Sequence, residues 1–269
     1  NQLVDADSDT MIQVEESSDE DTIRMDVGGT EIMTLSSSGA VITTADNLDT
    51  LSLISTDADA NVGPVLKLWR NTASPADDDV LGNIIFAGED DAGNEHDFFR
   101  MDVQSPDVSN GAEDAQVRQL LSLAGSEVEY VRMNATGFIF NENSADLDFR
   151  VESNGNANML FVDGGNDRVG IGTASPDGSL HIMSASAGTV DAHASADELV
   201  VEGSANAGIN ILSGNSSEGG IFFGDDGDND IGRIRYDHSN NSLDFFVNAA
   251  ERMTIDSSGV VHIGTTIPY

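Results

Sequence analysis

The sequence predicts an all-β protein: an elongated, repetitive β-fibre built of small antiparallel β-units, intertwined or abutting in a homotrimer. Three observations lead there. One strand cassette occurs three times within 269 residues. Short apolar runs alternate with period two between clusters of Asn, Asp, Gly and Ser. Core-forming residues are sparse, with 39 % hydrophobic and only 6 % aromatic residues. Thin units that share a core with other copies suit that composition better than one thick globular domain.

The first copy of the cassette starts at Ile23-Arg24-Met25-Asp26-Val27, passes Glu31, Met33 and Thr34, and reaches Ser37-Ser38-Gly39 and Val41. At a constant offset, without a gap, it returns as Leu243-Asp244-Phe245-Phe246-Val247, Glu251, Met253, Thr254, Ser257-Ser258-Gly259 and Val261. A middle copy begins at Leu147-Asp148-Phe149-Arg150-Val151, carries Met159 and ends Val169-Gly170-Ile171-Gly172-Thr173. Repeats of hairpin size complete their cores against neighbours, as in fibres, solenoids and arrays. Alternation puts Ile23, Met25 and Val27 on one face, with counterparts Leu243, Phe245 and Val247. Both sets are expected to face inward.

Along the chain, Ile12 and Val14 alternate with Gln13 and Glu15, and Glu15 to Thr22 reads as an acidic turn. Leu51–Ile54 and Val65–Trp69 are continuously apolar and are expected to be strands covered on both faces. Strands follow at Gly82–Phe86, Phe98–Val103, Val128–Met133 and Phe138–Phe140. Ala115–Ala124 partly fits a helical stripe, but Gly111 and Gly125 bracket it and a strand pair is the better reading. Ala174-Ser175-Pro176-Asp177-Gly178 is a turn-rich joint. Beyond it lie strand signals at Leu180–Met183, Leu199–Glu202, Ile209–Leu212, Ile221–Phe223 and Ile231–Tyr236. Three segments result: a leading β shaft over 1–48, a larger β-domain over 49–176, and a second β-domain over 177–269. The chain begins at Asn1 with neither an initiator Met nor a signal-peptide pattern, which fits a fragment or processed product.

Charge excludes several function classes. Forty-eight acidic residues against eleven basic ones give a net charge of −37, and Lys67 is the single lysine. Such a surface repels phosphates and anionic lipids, so neither nucleic acid nor a membrane surface is an expected partner. No run of about 18 apolar residues is present for membrane insertion. Cysteine is absent, which removes disulfides and thiolate metal sites. Excess Asp with almost no Lys suits a protein that works in brine.

Asp5-x-Asp7-x-Asp9 and Asp226-x-Asp228-x-Asp230 have the every-second-residue carboxylates that Ca²⁺ loops use. Neither has the Gly and Glu positions of an EF-hand, and a solvated acidic turn is the competing reading. His96, His181, His193, His238 and His262 are scattered and none has a paired His at ligand spacing. Carboxylate pairs such as Asp97 with Asp102, or Glu127 with Glu129, arise by chance among 48 acids. Trp69 is the only tryptophan available to stack on a sugar. Gly28-Gly29 and Gly164-Gly165 lack the Lys and helix of a phosphate cradle and read as hairpin turns. No catalytic residues and no cofactor other than Ca²⁺ are expected. Asn134-Ala135-Thr136, Asn215-Ser216-Ser217 and Asn240-Asn241-Ser242 match the glycosylation sequon.

Gly170-Ile171-Gly172-Thr173-Ala174-Ser175-Pro176 and Ile263-Gly264-Thr265-Thr266-Ile267-Pro268 resemble the Gly-Ile-Gly-Thr-x-x-Pro punctuation of tailed-virus fibre proteins. Asp163 to Val169 and Glu251 to Gly259 are similar to further segments of such fibres. Ala40-Val41-Ile42-Thr43 departs from the pattern at the first junction. The resemblance implies a virion tail fibre or its shaft, a homotrimer outside the cell. It implies contacts with other tail or baseplate proteins and with a host-surface glycan or protein. In that family a self-cleaving intramolecular chaperone often follows the last repeat. The alternatives are a microbial extracellular adhesin or filament subunit, and a fibre-borne polysaccharide depolymerase.

Stability is expected to rise with salt. Screening shortens the Debye length from about 10 Å at 0.1 M to about 3 Å at 1 M. A Tm that climbs between about 0.1 M and about 3 M NaCl checks this, and a flat Tm contradicts it.

Overall fold

The protein, seen in a computed structural model, is described over residues 2–14, 21–189 and 191–264. Residues 15–20 of the turn expected over Glu15 to Thr22, and the last repeat from Thr265 onward, lie outside the described residues. Among the described residues there is no helix, and the strands form four sheets of five. The all-β expectation holds. By contact density the chain divides into two units, Asn1–Gly82 and Asn83–Tyr269.

The first unit holds β1 (Gln2–Val4), β2 (Met11–Val14), β3 (Ile23–Val27), β4 (Thr30–Ser36) and β5 (Gly39–Ile42), paired in chain order as an antiparallel meander. Gly28 and Gly29 turn β3 into β4 with φ of 58° and 73°, the left-handed pair that a two-residue hairpin of this twist requires. Residues 43–78 carry no strand. This corrects the reading of Leu51–Ile54 and Val65–Trp69 as covered strands: Ile54 is 82 % exposed and Trp69 69 %. A continuous apolar run signals a buried segment, but among the described residues these two stay exposed.

The second sheet consists of β6 (Asp79–Glu89), β7 (Glu95–Asp107), β8 (Asp114–Leu123), β9 (Ser126–Asn134) and β10 (Gly137–Phe140). The division between units falls within β6. The helix-like stripe of 115–124 is strand β8, as the flanking glycines implied. The fourth sheet runs through β16 (Glu218–Phe223), β17 (Gly232–Asp237), β18 (Ser242–Val247), β19 (Ala250–Ile255) and β20 (Val261–Ile263), again antiparallel. Ile209–Leu212, expected as a strand, is exposed and irregular.

The third sheet differs. Its strands are β11 (Phe149–Val151), β12 (Leu160–Asp163), β13 (Arg168–Ile171), β14 (Leu180–Met183) and β15 (Leu199–Glu202). The pairs β13–β14 and β14–β15 are parallel. Parallel strands need connections that cross over rather than tight hairpins; residues 172–179 make the first, and 184–189 and 191–198 are the described parts of the second. The joint read at 174–178 is the first of these crossovers, so it lies inside the third sheet. Two glycines let its chain pass closely. A Cβ on Gly170 would sit 2.3 Å from the Thr173 carbonyl, and one on Gly172 would sit 2.1 Å from the Met183 carbonyl. The Gly-Ile-Gly-Thr spacing is therefore a steric requirement of the crossover.

The cassette is a structural repeat as well as a sequence repeat. In the first and fourth sheets the hairpin register shifts at equivalent places, between Met25 and Asp26 and between Phe245 and Phe246. Asn248 and Ala249, each with φ of 55°, occupy the positions of Gly28 and Gly29. The copies then diverge. Val41 pairs with Thr34, whereas Val261 pairs with Ile255. A one-residue slip moves a side chain to the other face, so the departure at Ala40–Thr43 is a real change of register.

Acidic residues hold the tight turns. Asp256 accepts bonds from the Ser258 backbone (2.9 Å) and hydroxyl (2.7 Å), the Val260 backbone (3.0 Å) and His262 Nε2 (3.1 Å). The Ser258 hydroxyl, followed by His262, pulls its carboxyl well below the usual range. Asp90 is lowered in the same way, chiefly by the Asn94 side chain.

Two outcomes are expected. Ala249→Gly should raise stability by about 1 kcal/mol by removing left-handed strain from a residue with a Cβ, while Gly172→Ala should destabilise; thermal melts read both. Followed by NMR, the Asp256 carboxyl should titrate below the ordinary value of about 3.9. The turn's contribution to stability is then complete above that value and is lost as the pH falls through the lower folded pKa. Titration at or above 3.9 would contradict the assignment of these bonds.

Candidate functional site

The most conspicuous surface feature is an inverted burial pattern. Among the described residues Leu120, Phe161 and Pro176 are the buried apolar side chains, whereas Gln13, Asp102, Ser105, Glu129, Thr173, His181, Ser242, Asp244 and Thr254 are buried and polar. Strand registers explain why. In the fourth sheet Ile221, Ile234, Phe245, Met253 and Ile263 lie in one cross-strand row. In the first sheet Leu3, Ile12, Met25, Met33 and Ile42 do the same. In the second, Val103, Val117, Met133 and Phe138 align. In the third, Phe149, Val162, Val169, Leu180 and Leu199 align. Every sheet thus has one apolar face, and much of it is bare: Leu3 is 72 % exposed, Phe138 69 % and Ile263 75 %.

Within the second unit the second and third sheets meet where Phe140 of β10 packs on Phe149 of β11, ring centroids 4.7 Å apart, yet much of the apolar surface of the described residues stays exposed.

On the opposite faces of the second and fourth sheets, charged side chains pair with one another. Arg118 clamps Asp102 through two bonds of 2.8 and 2.9 Å, and Arg132 clamps Glu129 at 2.6 and 2.8 Å. Arg100 bridges to Glu127 at 2.9 Å. In the fourth sheet Arg235 joins Asp244 (2.9 Å) to Glu218 (2.7 Å), and the Thr254 hydroxyl donates to Asp244 at 3.0 Å. Arg233 packs over the Phe246 ring at 3.8 Å. Asp102, Glu127 and Glu129, which could be imagined as glycosidase carboxylates, are engaged by arginines, the first two across strands and Glu129 by Arg132 of the same strand.

The two Asp triplets fare differently. Asp5, Asp7 and Asp9 sit in the β1–β2 turn with carboxylate oxygens within 4.8 Å of one another, all exposed. Asp5 also accepts the Thr10 backbone N–H (3.2 Å), which lowers its pKa. Asp226, Asp228 and Asp230 do not converge in this way. Asp228 accepts the Asp230 backbone N–H at 3.1 Å, and Asp230 is bonded to Arg233. Asp225, outside the triplet, accepts the Gly227 and Asp228 backbone N–H groups. This segment is organised as a turn closed by an arginine.

The sequence reading missed one cluster. His181, on β14, is 1 % exposed, and Thr173, Ser175, Ser186 and Asp191 of the two connections line the cleft beside it. Its Nε2 lies 3.0 Å from Glu202 Oε2 on β15, and its Nδ1 lies 4.0 Å from Asp177 Oδ2 in the first crossover. Asp177 and His181 are four residues apart, but their meeting depends on the parallel crossover, for which the sequence carries no separate signal.

The buried ion pairs yield a direct expectation. Asp102→Ala leaves Arg118 and Arg100 facing a vacated site and should cost about 3–5 kcal/mol, read by chemical denaturation. A loss below about 1 kcal/mol would show that the pair is effectively solvated. Compared with known proteins, the chain matches no family model, and no curated protein matches it.

Proposed function

We propose that the chain is a structural fibre subunit, most concretely the tail fibre of a tailed virus or its shaft, that assembles as a parallel homotrimer and holds a host-binding tip away from the particle. The observation that carries this reading is the bare apolar face on every sheet, set against polar faces already paired within the chain. Apolar area on that scale is unfavourable in water by roughly 25 cal/mol per Å², and three copies around an axis cover such faces while closing sheet edges. Cassette repetition and the likeness to Gly-Ile-Gly-Thr-x-x-Pro fibre punctuation support the viral assignment. The role is architectural, with no chemistry assigned to the chain. Its partners are further copies of itself, other tail or baseplate proteins and a glycan or protein on the host surface. The density of acids suits attachment in a saline medium.

Two experiments test the reading. Phe245→Asp places a charge on the apolar row of the fourth sheet and should abolish assembly, because an unpaired buried charge is prohibitively costly; a variant that assembles and melts like the parent overturns the inward assignment. Antibody labelling followed by negative-stain imaging should decorate fibres on virions. Label confined to cell surfaces would identify a microbial adhesin or filament subunit instead.

A further inference from the structure

We propose that residues 65–69 are a docking strap that enters a groove on the first sheet of a second copy of this chain. The contact presupposes the homotrimer proposed above and gives it a specific joint. Residues 60–76 are the longest stretch of the chain without an acidic residue, and they carry Arg70 and Lys67, the single lysine. Arg70 roots the strap: it pairs with Asp79 at 2.8 Å and donates to the Val80 carbonyl at 3.0 Å. Leu68 lies against β6, where a Cβ on Gly82 would come within 3.1 Å of the Leu68 Cβ. The rest of the strap stays exposed, Val65 by 69 %, Leu66 by 64 % and Trp69 by 69 %. Lys67 Nζ sits 4.8 Å from the centre of the Trp69 ring, so its ammonium rests on an aromatic face. The strap thus presents a tryptophan, two aliphatic side chains and a cation together, on a segment tied down at one end.

Charge selects a second copy as the occupant. A chain of net charge −37 repels copies of itself, and contact is least opposed where one side carries cations and no acid. The receiving surface has the complementary chemistry. Along the apolar row of the first sheet lies a groove of about 400 Å³, whose lining includes Leu3, Ile12, Met25 and Ile32 together with Asp5 and Asp26. Asp26 has no hydrogen-bond partner at Oδ1, which leaves it capacity for a donor. Lys67 of the entering strap supplies that donor, while Val65, Leu66 and Trp69 cover the apolar floor. A buried tryptophan with aliphatic neighbours is the usual energetic centre of a protein interface. The joint is heterologous, with the strap of one copy in the groove of the next. Contacts of this kind close into a ring when the rotation allows, and three equal ones make the homotrimer.

The full chain carries its own probes, because Trp69 is the only tryptophan and Lys67 the only lysine. Mass is followed by sedimentation while about 2 M NaCl screens repulsion, and Trp69 emission and acrylamide quenching are read on the same samples. On assembly the emission should move to the blue, and the quenching constant should fall at least about threefold. Carbodiimide coupling is applied to isotope-labelled and unlabelled chains mixed before salt is added. It should join Lys67 of one isotopic form to Asp5 or Asp26 of the other. Lys67→Glu, whose folding circular dichroism checks, should weaken association at least about tenfold. The outcomes separate strap from fibre. Copies that associate while Trp69 quenches as in the single chain overturn the strap and leave the trimer standing. Cross-links from Lys67 that fall only within one copy, or only on other carboxylates of a second copy, do the same. A chain that stays at 28.3 kDa overturns strap and trimer together.

Discussion

A single-layer β-sheet has two faces, and a chain that builds only single layers can satisfy one of them by itself. Here the self-satisfied face is the polar one. Arg118 with Asp102 and Arg235 with Asp244 pair across neighbouring strands, Arg132 pairs with Glu129 along β9, and these groups shield each other from water. Much of the apolar rows is left exposed among the described residues. Removing a partner from such a charged row is costly, since the remaining ion stays desolvated. The arrangement therefore fixes strand register from the polar side while leaving the hydrophobic driving force available for assembly.

The acidic composition has two structural uses beyond its effect on solubility. Asp90, Asp107, Asp163, Asp237 and Asp256 each accept bonds from residues two to four positions ahead, and each has a lowered pKa with such a bond as the leading cause. These side chains do for the turns what a helix cap does for a helix end, by satisfying backbone N–H groups that the bend leaves unpaired. Other acids neutralise the few arginines within the sheets. A large net negative charge remains, and its mutual repulsion opposes any association that brings copies together in dilute buffer. Salt and assembly are thereby coupled.

Much of this fold was legible in the residues because period-two alternation and paired turn residues are local signals. Ile23, Met25 and Val27 lie on one face, as their spacing implies, and the ungapped cassette returns with its bulge and its left-handed turn. Segments that failed were those whose partner is not local. Leu51–Ile54, Val65–Trp69 and Ile209–Leu212 are apolar enough to be strands, but apolarity alone does not specify what covers a segment. The parallel pairing of β14 with β13 and β15 was hidden for the same reason, and with it the environment of His181. Of the two Asp triplets, identical in spacing, only Asp5, Asp7 and Asp9 converge, because Arg233 engages Asp230 in the other. Spacing announces which carboxylates can meet; a neighbouring cation decides whether they do.

The central claim is that the open apolar rows are covered by other copies of the same chain. Sedimentation equilibrium of the purified chain in about 2 M NaCl, where charge repulsion is screened, measures this most directly. The account requires a single species near three times the chain mass of 28.3 kDa. A monodisperse species of 28.3 kDa that stays folded and binds no hydrophobic dye would contradict it, because the apolar faces would then be covered within one chain.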